Sequence, residues 1–409
     1  MSNIWPGLDG PGVRYITAPP PASWQGLERR GLVILGSTGS IGRSALAVVD
    51  QRPGAFAVAG LACATSAALL AEQAARYRPG HLAVLDEDVA RRLEALLPAG
   101  YAPEILTGPE GYRTIASISG ADTVLSAQSG AAGLAGTLAA ALAGKVVCLA
   151  NKESLVLTGD LLRRVCRSTG ASILPVDSEH FAIFDCLCGR KDDAERLVLT
   201  ASGGPFRGRK ADELAGVTPE MALRHPNWNM GAKITVDSAT LMNKALEFIE
   251  ACQLYGVAPD RVEVLVHPQS IVHSLVVFKD QSQLAQLGVP DMRLPIQYAF
   301  SFPKRLDLQG DRLDLFKVQK LEFFKPDVEK FPCLRLAYEA IHEGGNMPCI
   351  LNAANEVATA AFRRGECSFL GMADIIAKTM KQATFDKTPD LDTYFKTDAE
   401  ARKIATSLL

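Results

Sequence analysis

The sequence predicts an α/β protein with three parts: a Rossmann-like, doubly wound parallel sheet, a central α/β domain and a small helical C-terminal domain. Three observations support this fold class. Short apolar runs alternate with helical patterns over about residues 31–170, as in parallel sheets flanked by helices. The strands that follow are separated by longer interruptions. From Cys333 onward a helical period of apolar residues dominates.

The individual elements follow from the same patterns. Buried parallel strands read as short runs rich in Val, Ile and Leu, whereas helices show apolar residues three and four positions apart. In the first part, strands are expected at 31–35, 56–63, 82–85, 123–126 and 146–149, and helices at 44–51 and 67–77. In the central part, strands are expected at 173–176, 197–200, 262–266 and 274–278. Asp237 and Ser238 suit a helix start, and Gly256 a helix end, so one helix is expected between them.

A chain of 409 residues is too long for one ordinary core, so several domains are expected. Residues 1–30 are rich in Pro and Gly, which predicts a loosely ordered arm. The remaining boundaries are a Rossmann-like domain at 31–170, a central α/β domain at 171–300, a linker at 301–325 and a helical domain at 326–409.

Composition limits the classes of function. The net charge is −2 and no long basic run is present, so nucleic-acid binding has little support. No stretch is long and apolar enough to cross a membrane, and the N-terminus lacks the features of a signal peptide. The nine cysteines are scattered without zinc-site spacing. Reduced thiols in a cytoplasmic protein are the simplest interpretation.

A glycine-rich loop, Gly36-Ser-Thr-Gly39-Ser-Ile-Gly42, follows the first strand and opens a helix. Glycines let the backbone approach a pyrophosphate, and the helix N-terminus supplies free N–H groups. The spacing differs from the usual Gly-x-Gly-x-x-Gly, and a plain tight turn is the alternative. We predict dinucleotide binding. The residues after the second strand, Ala64-Thr65-Ser66, are neither acidic nor basic, so they leave NAD and NADP open.

Carboxylates suggest a site for a divalent cation. Asp177 and Glu179 follow an apolar run, and an extended backbone would point both to one side. Such a pair suits Mg²⁺ or Mn²⁺, although a solvated acidic turn is the alternative. Glu247 would add a third carboxylate, and on a helix it shares a face with Asn243. The alternative for Glu247 and Lys244 is a solvated helix surface.

Other polar residues suit a phosphate. Ser238, Asn243 and Lys244 are of the types that phosphate oxygens prefer, and Ser202-Gly203-Gly204 is either an anion-binding nest or an ordinary turn. Lys152 follows a strand end where two domains would meet, and a salt-bridged surface lysine is its alternative. We interpret His267 and His273 as structural.

Taken together, these motifs resemble the 1-deoxy-D-xylulose 5-phosphate reductoisomerase family. The resemblance spans about residues 31–409. It rests on residues 225–250 and on seven further segments: Leu35-Gly-Ser-Thr-Gly-Ser-Ile-Gly42, Leu149-Ala-Asn-Lys-Glu-Ser-Leu155, Leu174-Pro-Val-Asp-Ser-Glu-His180, Ser202-Gly-Gly-Pro-Phe-Arg207, His267-Pro-Gln-Ser270, Leu284-Ala-Gln-Leu-Gly288 and Leu351-Asn-Ala-Ala-Asn-Glu356.

The resemblance implies an NADPH-dependent homodimer of the non-mevalonate isoprenoid pathway, using Mn²⁺ or Mg²⁺. It would convert 1-deoxy-D-xylulose 5-phosphate to 2-C-methyl-D-erythritol 4-phosphate, with a loop at 225–234 closing over the substrate. The implied metal ligands are Asp177, Glu179 and Glu247, and the implied catalytic residues are Lys152, Glu179 and His225. Implied substrate contacts are Lys152, Ser178, Glu179, Ser202, His225, Trp228, Ser238, Asn243, Lys244 and Glu247. Implied cofactor contacts are Thr38, Gly39, Ser40, Ile41, Ala64, Thr65, Ser66, Asn151, Glu153 and Gly231.

One departure from the family pattern concerns the cofactor. Relatives often carry Gly, Lys and Asn where this chain has Ala64, Thr65 and Ser66, so the resemblance leaves the source of NADP selectivity open, with Arg43 as the alternative. Two rival functions are an ordinary NADP-dependent dehydrogenase with a cysteine nucleophile and a non-catalytic dinucleotide sensor. No cysteine stands in a nucleophile context, and a sensor has no use for both a metal and a phosphate site.

Overall fold

The computed structural model describes residues 17, 19–187, 194–226, 228 and 230–409. The strands are β1 (Arg30–Leu35), β2 (Phe56–Ala62), β3 (His81–Val84), β4 (Glu104–Thr107), β5 (Thr123–Ser126), β6 (Val146–Leu149), β7 (Ser172–Pro175), β8 (Ala194–Ala201), β9 (Val262–Val266), β10 (Val272–Phe278) and β11 (Gln283–Leu287).

The helices of the first two thirds are α1 (Ala22–Gln25), α2 (Ser40–Gln51), α3 (Ala67–Tyr77), α4 (Glu87–Glu94), α5 (Gly108–Ser117), α6 (Leu134–Leu142), α7 (Lys152–Thr169), α8 (Ser178–Leu187), α9 (Pro219–Ala222), α10 (Ala232–Ala239) and α11 (Met242–Tyr255). The remaining helices are α12 (Arg293–Ser301), α13 (Leu315–Val318), α14 (Pro332–Glu343), α15 (Met347–Arg363), α16 (Phe369–Gln382) and α17 (Leu391–Ser407). Among the described helices, none is both long and apolar enough to cross a membrane.

The first sheet has seven strands in the order β4-β3-β2-β1-β5-β6-β7, and its neighbouring strands pair in parallel. The order reverses at β1, which lies between β2 and β5, so the predicted doubly wound topology is confirmed. The apolar run of β1 is fully buried from Leu32 to Leu35. Such a strand is covered by helices on both faces, which is why the sequence reads as an unbroken apolar segment.

Two features of this sheet differ from expectation. The strand near residue 173, expected to open the second domain, is β7 and pairs with β6 as the last strand of the first sheet. Its apolar run is as buried as its neighbours', so the run alone could not show which sheet it joins. β4 was not predicted, because the four residues Glu104–Thr107 are partly exposed and carry no long apolar run. Apart from β7, the proposed domain boundaries stay predictions.

The second sheet has four strands in the order β11-β10-β8-β9. β8 and β9 are parallel, whereas β10 is antiparallel to both β8 and β11. Helix α8 packs against β10 and β11, and α11 packs against α7 of the first domain. β11 is an edge strand that was not predicted, because its residues alternate between exposed and half-buried.

The helix expected from Asp237 to Tyr255 is two helices, α10 and α11. Leu241, between them, has φ = 60°, a left-handed conformation that ends a helix. The prediction that Asp237 and Ser238 begin a helix is therefore wrong: both lie in the last turn of α10. No Gly or Pro marks the break, so residue types alone do not predict it.

The C-terminal helices α14–α17 pack together around α15, which also contacts α7 and α10. Residues 19–30 are less loose than expected. The indole of Trp24 is buried, and its Nε1 lies 3.0 Å from Asp122 Oδ1 and 2.9 Å from Thr123 Oγ1. This part of the predicted arm is thus packed on the first domain; residues 1–16 and 18 lie outside the described residues.

Candidate active site

A cavity of about 170 Å³ lies at the carboxyl edge of the first sheet, where the sheet meets the second domain. The first domain supplies the start of α2 and the residues after β6 and β7, where ligands of open α/β sheets bind. The predicted site residues that line the cavity are Ser40, Ile41, Lys152, Asp177, Ser178, Glu179, Ser202, His225, Trp228, Gly231, Ser238, Asn243, Lys244 and Glu247.

The remaining predicted cofactor residues lie outside the cavity lining. Thr38 and Gly39 belong to the loop after β1, and Ala64–Ser66 follow β2 with exposed side chains. Asn151 and Glu153 are buried on either side of Lys152. Gly36 has φ = 86°, and a Cβ on Gly42 would lie 2.4 Å from Ser37 Cα. The loop therefore needs these glycines to pack tightly against the start of α2.

Three carboxylates meet in the cavity. One oxygen each from Asp177, Glu179 and Glu247 lie within 4.8 Å of one another. An extended backbone was expected at Asp177 and Glu179, but Ser178 begins α8, so the backbone there is helical. Asp177 instead accepts a hydrogen bond from Glu179 N at 3.2 Å in the first turn of the helix. Glu247 lies on α11, so the cluster forms only where α11 contacts the start of α8.

Two lysines contact the carboxylates. Lys152 Nζ lies 2.9 Å from Asp177 Oδ2 and 2.9 Å from Glu247 Oε1, and it donates to Asn243 Oδ1 at 2.8 Å. Lys244 Nζ lies 3.2 Å from Glu179 Oε1 and also contacts Glu247 Oε2. Both lysines are buried, so neither the surface interpretation of Lys152 nor that of Lys244 holds.

The charges in this cluster do not balance. Burial alone would lower the pKa of Lys152, but Asp177 and Glu247 raise it well above its usual value. Burial raises the pKa of Glu179, and the charge of Glu247 raises it further. The ammonium groups of the two lysines face the three carboxylates of the cluster, so one negative charge is uncompensated when all five groups are ionised. Hard oxygen donors with excess negative charge are what Mg²⁺ or Mn²⁺ requires, so the donor set fits such an ion.

A second group of polar residues surrounds Ser202. His225 Nε2 lies 3.0 Å from Ser202 Oγ, and His225 Nδ1 accepts from Trp228 N at 3.0 Å. Burial lowers the pKa of His225. Gly204 N donates to Ser202 Oγ at 3.2 Å, and its φ of 68° is one that favours glycine. A Cβ there would lie 2.6 Å from Ser238 O, so this turn packs directly on α10.

Several residues of the cavity were missed. Ile234, Leu241 and Met292 line it, but nothing distinguishes such apolar residues from core residues in a sequence. Ser270 belongs to the His-Pro-Gln-Ser motif and also lines the cavity, although no role was assigned to it. Trp228 lines the cavity with its ring centroid 6.2 Å from that of His273. Asn227 and Asn229 of the predicted loop lie outside the described residues.

The fold and the site together define a class: a Rossmann-type enzyme whose sheet edge opens onto an acidic cluster suited to a divalent cation. Three family models place the chain within this class. The model for 1-deoxy-D-xylulose 5-phosphate reductoisomerase matches residues 32–159, that for the enzyme's C-terminal domain matches residues 173–255, and that for the DXP reductoisomerase C-terminal domain matches residues 287–404. The chain belongs to the 1-deoxy-D-xylulose 5-phosphate reductoisomerase family.

Whole-chain comparisons agree. The reductoisomerase of Nitratidesulfovibrio vulgaris strain Hildenborough is 58% identical over 369 residues, which is 90% of each chain. A solved structure of the Zymomonas mobilis enzyme in complex with NADPH is 43% identical, with a TM-score of 0.86 over 93% of this chain and 99% of that one. A DOX-P reductoisomerase in complex with NADPH, fosmidomycin and magnesium is 40% identical, with a TM-score of 0.87 over 93% and 98%.

Proposed function

We propose that this chain catalyses its family's reaction, the NADPH-dependent conversion of 1-deoxy-D-xylulose 5-phosphate to 2-C-methyl-D-erythritol 4-phosphate, in the cavity described above. One observation carries the assignment to this site. Asp177, Glu179 and Glu247 meet beside Lys152 and Lys244 at the edge of a Rossmann sheet. A metal-chelating, phosphorylated substrate next to a dinucleotide needs this combination. Family membership supports the same reaction.

Asp177, Glu179 and Glu247 would hold Mg²⁺ or Mn²⁺. Magnesium is present in three related structures, one of them with both fosmidomycin and NADPH, which supports this assignment. When bound, the ion acts as a Lewis acid toward carbonyl and hydroxyl oxygens of the substrate. Lys152 and Lys244 fix the orientation of the carboxylates, and Asn243 Nδ2 donates to Glu247 Oε1 at 2.6 Å.

NADPH would lie along the loop after β1 and across the carboxyl edge of the sheet. Its contacts would be Thr38, Gly39, Ser40, Ile41, Ala64, Thr65, Ser66, Asn151, Glu153 and Gly231. The cofactor supplies the hydride for the reduction step. Ser40, Ile41 and Gly231 also line the cavity, which supports a nicotinamide end near the carboxylates and an adenosine end near Ala64–Ser66.

The substrate would be held by residues from both domains. Ser202, Ser238, Asn243 and Lys244 would bind the phosphate, which supplies binding energy remote from the reacting carbons. The buried ammonium of Lys152 would stabilise negative charge that develops on substrate oxygens. His225 would orient Ser202 through the 3.0 Å contact, and Ser178, which donates to Glu179 Oε2 at 2.6 Å, would contact the substrate. Trp228 would cover the cavity and exclude water.

We also propose that the chain acts as a homodimer in the cytoplasm. The edge strand β11 leaves one side of the second sheet unpaired by the described residues. At the opposite edge of this sheet, Phe324 pairs with Val266 of β9. This segment exposes three aromatic side chains: Phe316 by 93%, Phe324 by 48% and Phe323 by 42%. Unpaired strand edges and exposed apolar residues are features of surfaces that a second chain covers.

The activity is tested by following the absorbance of NADPH with purified chain. We expect oxidation only when 1-deoxy-D-xylulose 5-phosphate and Mg²⁺ or Mn²⁺ are both present. Oxidation that proceeds without a divalent cation would contradict the assignment of the carboxylates. No oxidation with any cation, together with normal NADPH binding, would favour the sensor alternative.

A further inference from the structure

Helix α10 has two polar faces, and only one of them lines the cavity. Gly231, just before the helix, and Ser238, in its last turn, line the cavity. Lys233 and Asp237 lie one turn apart on another face and contact neighbouring helices instead. The proposed reaction uses the first face and gives the second no role.

The second face carries an ion bridge to α7. Lys233 Nζ lies 2.8 Å from Glu153 Oε1 and 2.8 Å from Asp237 Oδ2. The exposed fractions of the three side chains are 24% for Lys233, 9% for Glu153 and 2% for Asp237. Burial alone would raise the pKa of Glu153, but the nearby ammonium of Lys233 lowers it. Because buried carboxylates stay charged only when paired, this lysine holds the two helices together.

The bridge is anchored on the C-terminal domain. Asp237 Oδ2 contacts Lys233, and its other oxygen, Oδ1, accepts from Asn355 Nδ2 at 3.1 Å and lies 3.3 Å from Thr359 Oγ1. Asn355 and Thr359 lie on consecutive turns of α15, and both are buried. Neither residue lines the cavity.

The same helix also holds the other side of the sheet edge. Glu356 Oε1 accepts from Ala131 N at 3.0 Å, in the loop after β5. Asn151 Nδ2 donates to Gly130 O at 2.9 Å in that loop and lies 3.0 Å from Glu153 Oε2. Adjacent residues of α15 thus connect to α10 on one side and to the loop beside Asn151 on the other.

We infer that Lys233 and Asp237 are positioning residues: their ion bridge, fixed to α15 by Asn355, holds α10 so that Gly231 and Ser238 face the cavity. This inference rests on the proposed function. The Leu-Asn-Ala-Ala-Asn-Glu run of the C-terminal domain thereby gains a role in the reaction without touching the substrate. This run acts on the reaction through α10, because Gly231 is a predicted cofactor contact and Ser238 is a predicted phosphate contact.

The test replaces Lys233 and measures both kinetics and the order of α10. In Lys233→Met we expect the KM for 1-deoxy-D-xylulose 5-phosphate to rise about tenfold, as for one weakened charged hydrogen bond. Amide hydrogen exchange of residues 232–239 should become about tenfold faster, while exchange in β1 and β5 is unchanged. Lys233→Arg keeps a cation that can contact both carboxylates and should recover most of the KM and the slow exchange.

Two further variants complete the test. Asn355→Ala removes the anchor on α15 without burying or removing a charge, and it should show the same faster exchange of α10. It replaces Lys233→Met in the test if that variant does not fold. Arg335→Met breaks an exposed ion pair with Glu339 on α14 and should change neither measurement. Kinetics and exchange that stay within twofold of wild type in Lys233→Met would overturn the inference. So would equal losses in Lys233→Met and Lys233→Arg, or faster exchange throughout the chain.

The two proposals fail in different ways. A wild-type chain that does not act on the phosphosugar would refute the proposed function. Faster exchange confined to α10 in the two variants would still show that Lys233 and Asn355 hold that helix. Normal wild-type turnover with unaffected variants would refute only the positioning role.

Discussion

The ammonium of Lys152 lies 2.9 Å from Glu247 Oε1, and this contact joins the first domain to the second inside the cavity. Lys152 begins α7, directly after the sheet edge, whereas Glu247 lies in the middle of α11. Both are buried, so the pair is protected from solvent screening. Because Glu247 also belongs to the three-carboxylate cluster, the contact links the proposed metal site to the proposed cofactor edge.

Glu247→Gln tests the metal site. The substitution leaves Lys152 beside Asp177 and Lys244 beside Glu179, so the remaining charges are matched and the excess negative charge disappears. We expect kcat to fall on the order of 100-fold or more, because the ion loses a ligand and its charge compensation. NADPH binding, followed by fluorescence, should stay within about twofold of wild type. Glu263→Gln, at an exposed position on β9, is the matched control. Unchanged turnover of Glu247→Gln at saturating Mn²⁺ would refute the ligand assignment.

Lys244→Ala separates phosphate binding from metal binding. Loss of the ammonium should raise the KM for the phosphosugar by about 10- to 100-fold, the range for one charged hydrogen bond. The concentration of Mg²⁺ that gives half-maximal rate should not rise, since the variant leaves the carboxylates more negative. Lys381→Ala, at an exposed position on α16, serves as the control. If Lys244→Ala left the KM for the phosphosugar unchanged, or raised the required Mg²⁺ concentration more than that KM, the phosphate role would be wrong.

Thr65→Lys tests the source of cofactor selectivity. The side chains of Ala64, Thr65 and Ser66 are exposed and carry no charge toward a 2′-phosphate. A lysine there should strengthen NADPH binding and so raise the ratio of the NADH dissociation constant to the NADPH dissociation constant by about fivefold, the gain expected of one charge pair near water. The constants are measured by fluorescence titration without substrate. An unchanged ratio would place the selectivity elsewhere, for example at Arg43.

His273 predicts how stability depends on pH. Burial lowers the pKa of His273 from the usual 6.5 to about 4. The unfolded chain therefore binds the proton first as the pH falls, so stability present above pH 6.5 is lost toward about pH 4. The loss from this group is on the order of 3 kcal/mol in the free energy of unfolding. His273→Gln should flatten the pH dependence measured by urea unfolding, and His342→Gln, an exposed control, should not. Equal slopes in wild type and His273→Gln would contradict this origin.

Phe316→Asp tests the proposed homodimer. A charge at this 93% exposed position should weaken a dimer whose surface includes the segment, which light scattering coupled to gel filtration detects as a lower mass. Leu96→Asp, exposed on the first domain, should leave the mass unchanged. A wild-type chain that is monomeric at assay concentrations would refute the dimer. A Phe316→Asp chain that stays dimeric would place its interface elsewhere.

Sequence patterns predicted most strands of the first sheet because these strands are largely buried and apolar, as in β1. They missed β4, which is partly exposed, and assigned β7 to the second domain. They also missed β11, where Gln283 and Gln286 interrupt the apolar run, and the break at Leu241, where no helix-breaking residue stands. The types of the site residues were recognisable, and the helical spacing of Asn243 and Glu247 is confirmed by their 2.6 Å contact. Asp237 lies four residues after Lys233 on the same helix, so that contact follows from helical spacing. The role inferred for Lys233 was not recognisable, because Glu153 of α7 meets it only in the folded chain.

Identification of the product tests the central claim most directly. Wild-type chain is incubated with 1-deoxy-D-xylulose 5-phosphate, NADPH and Mg²⁺, and the phosphosugar is analysed by NMR and mass spectrometry. We predict 2-C-methyl-D-erythritol 4-phosphate in an amount equal to the NADPH oxidised, and none when the cation is chelated. A reduced but unbranched sugar phosphate, or the same product in the absence of a divalent cation, would contradict the account.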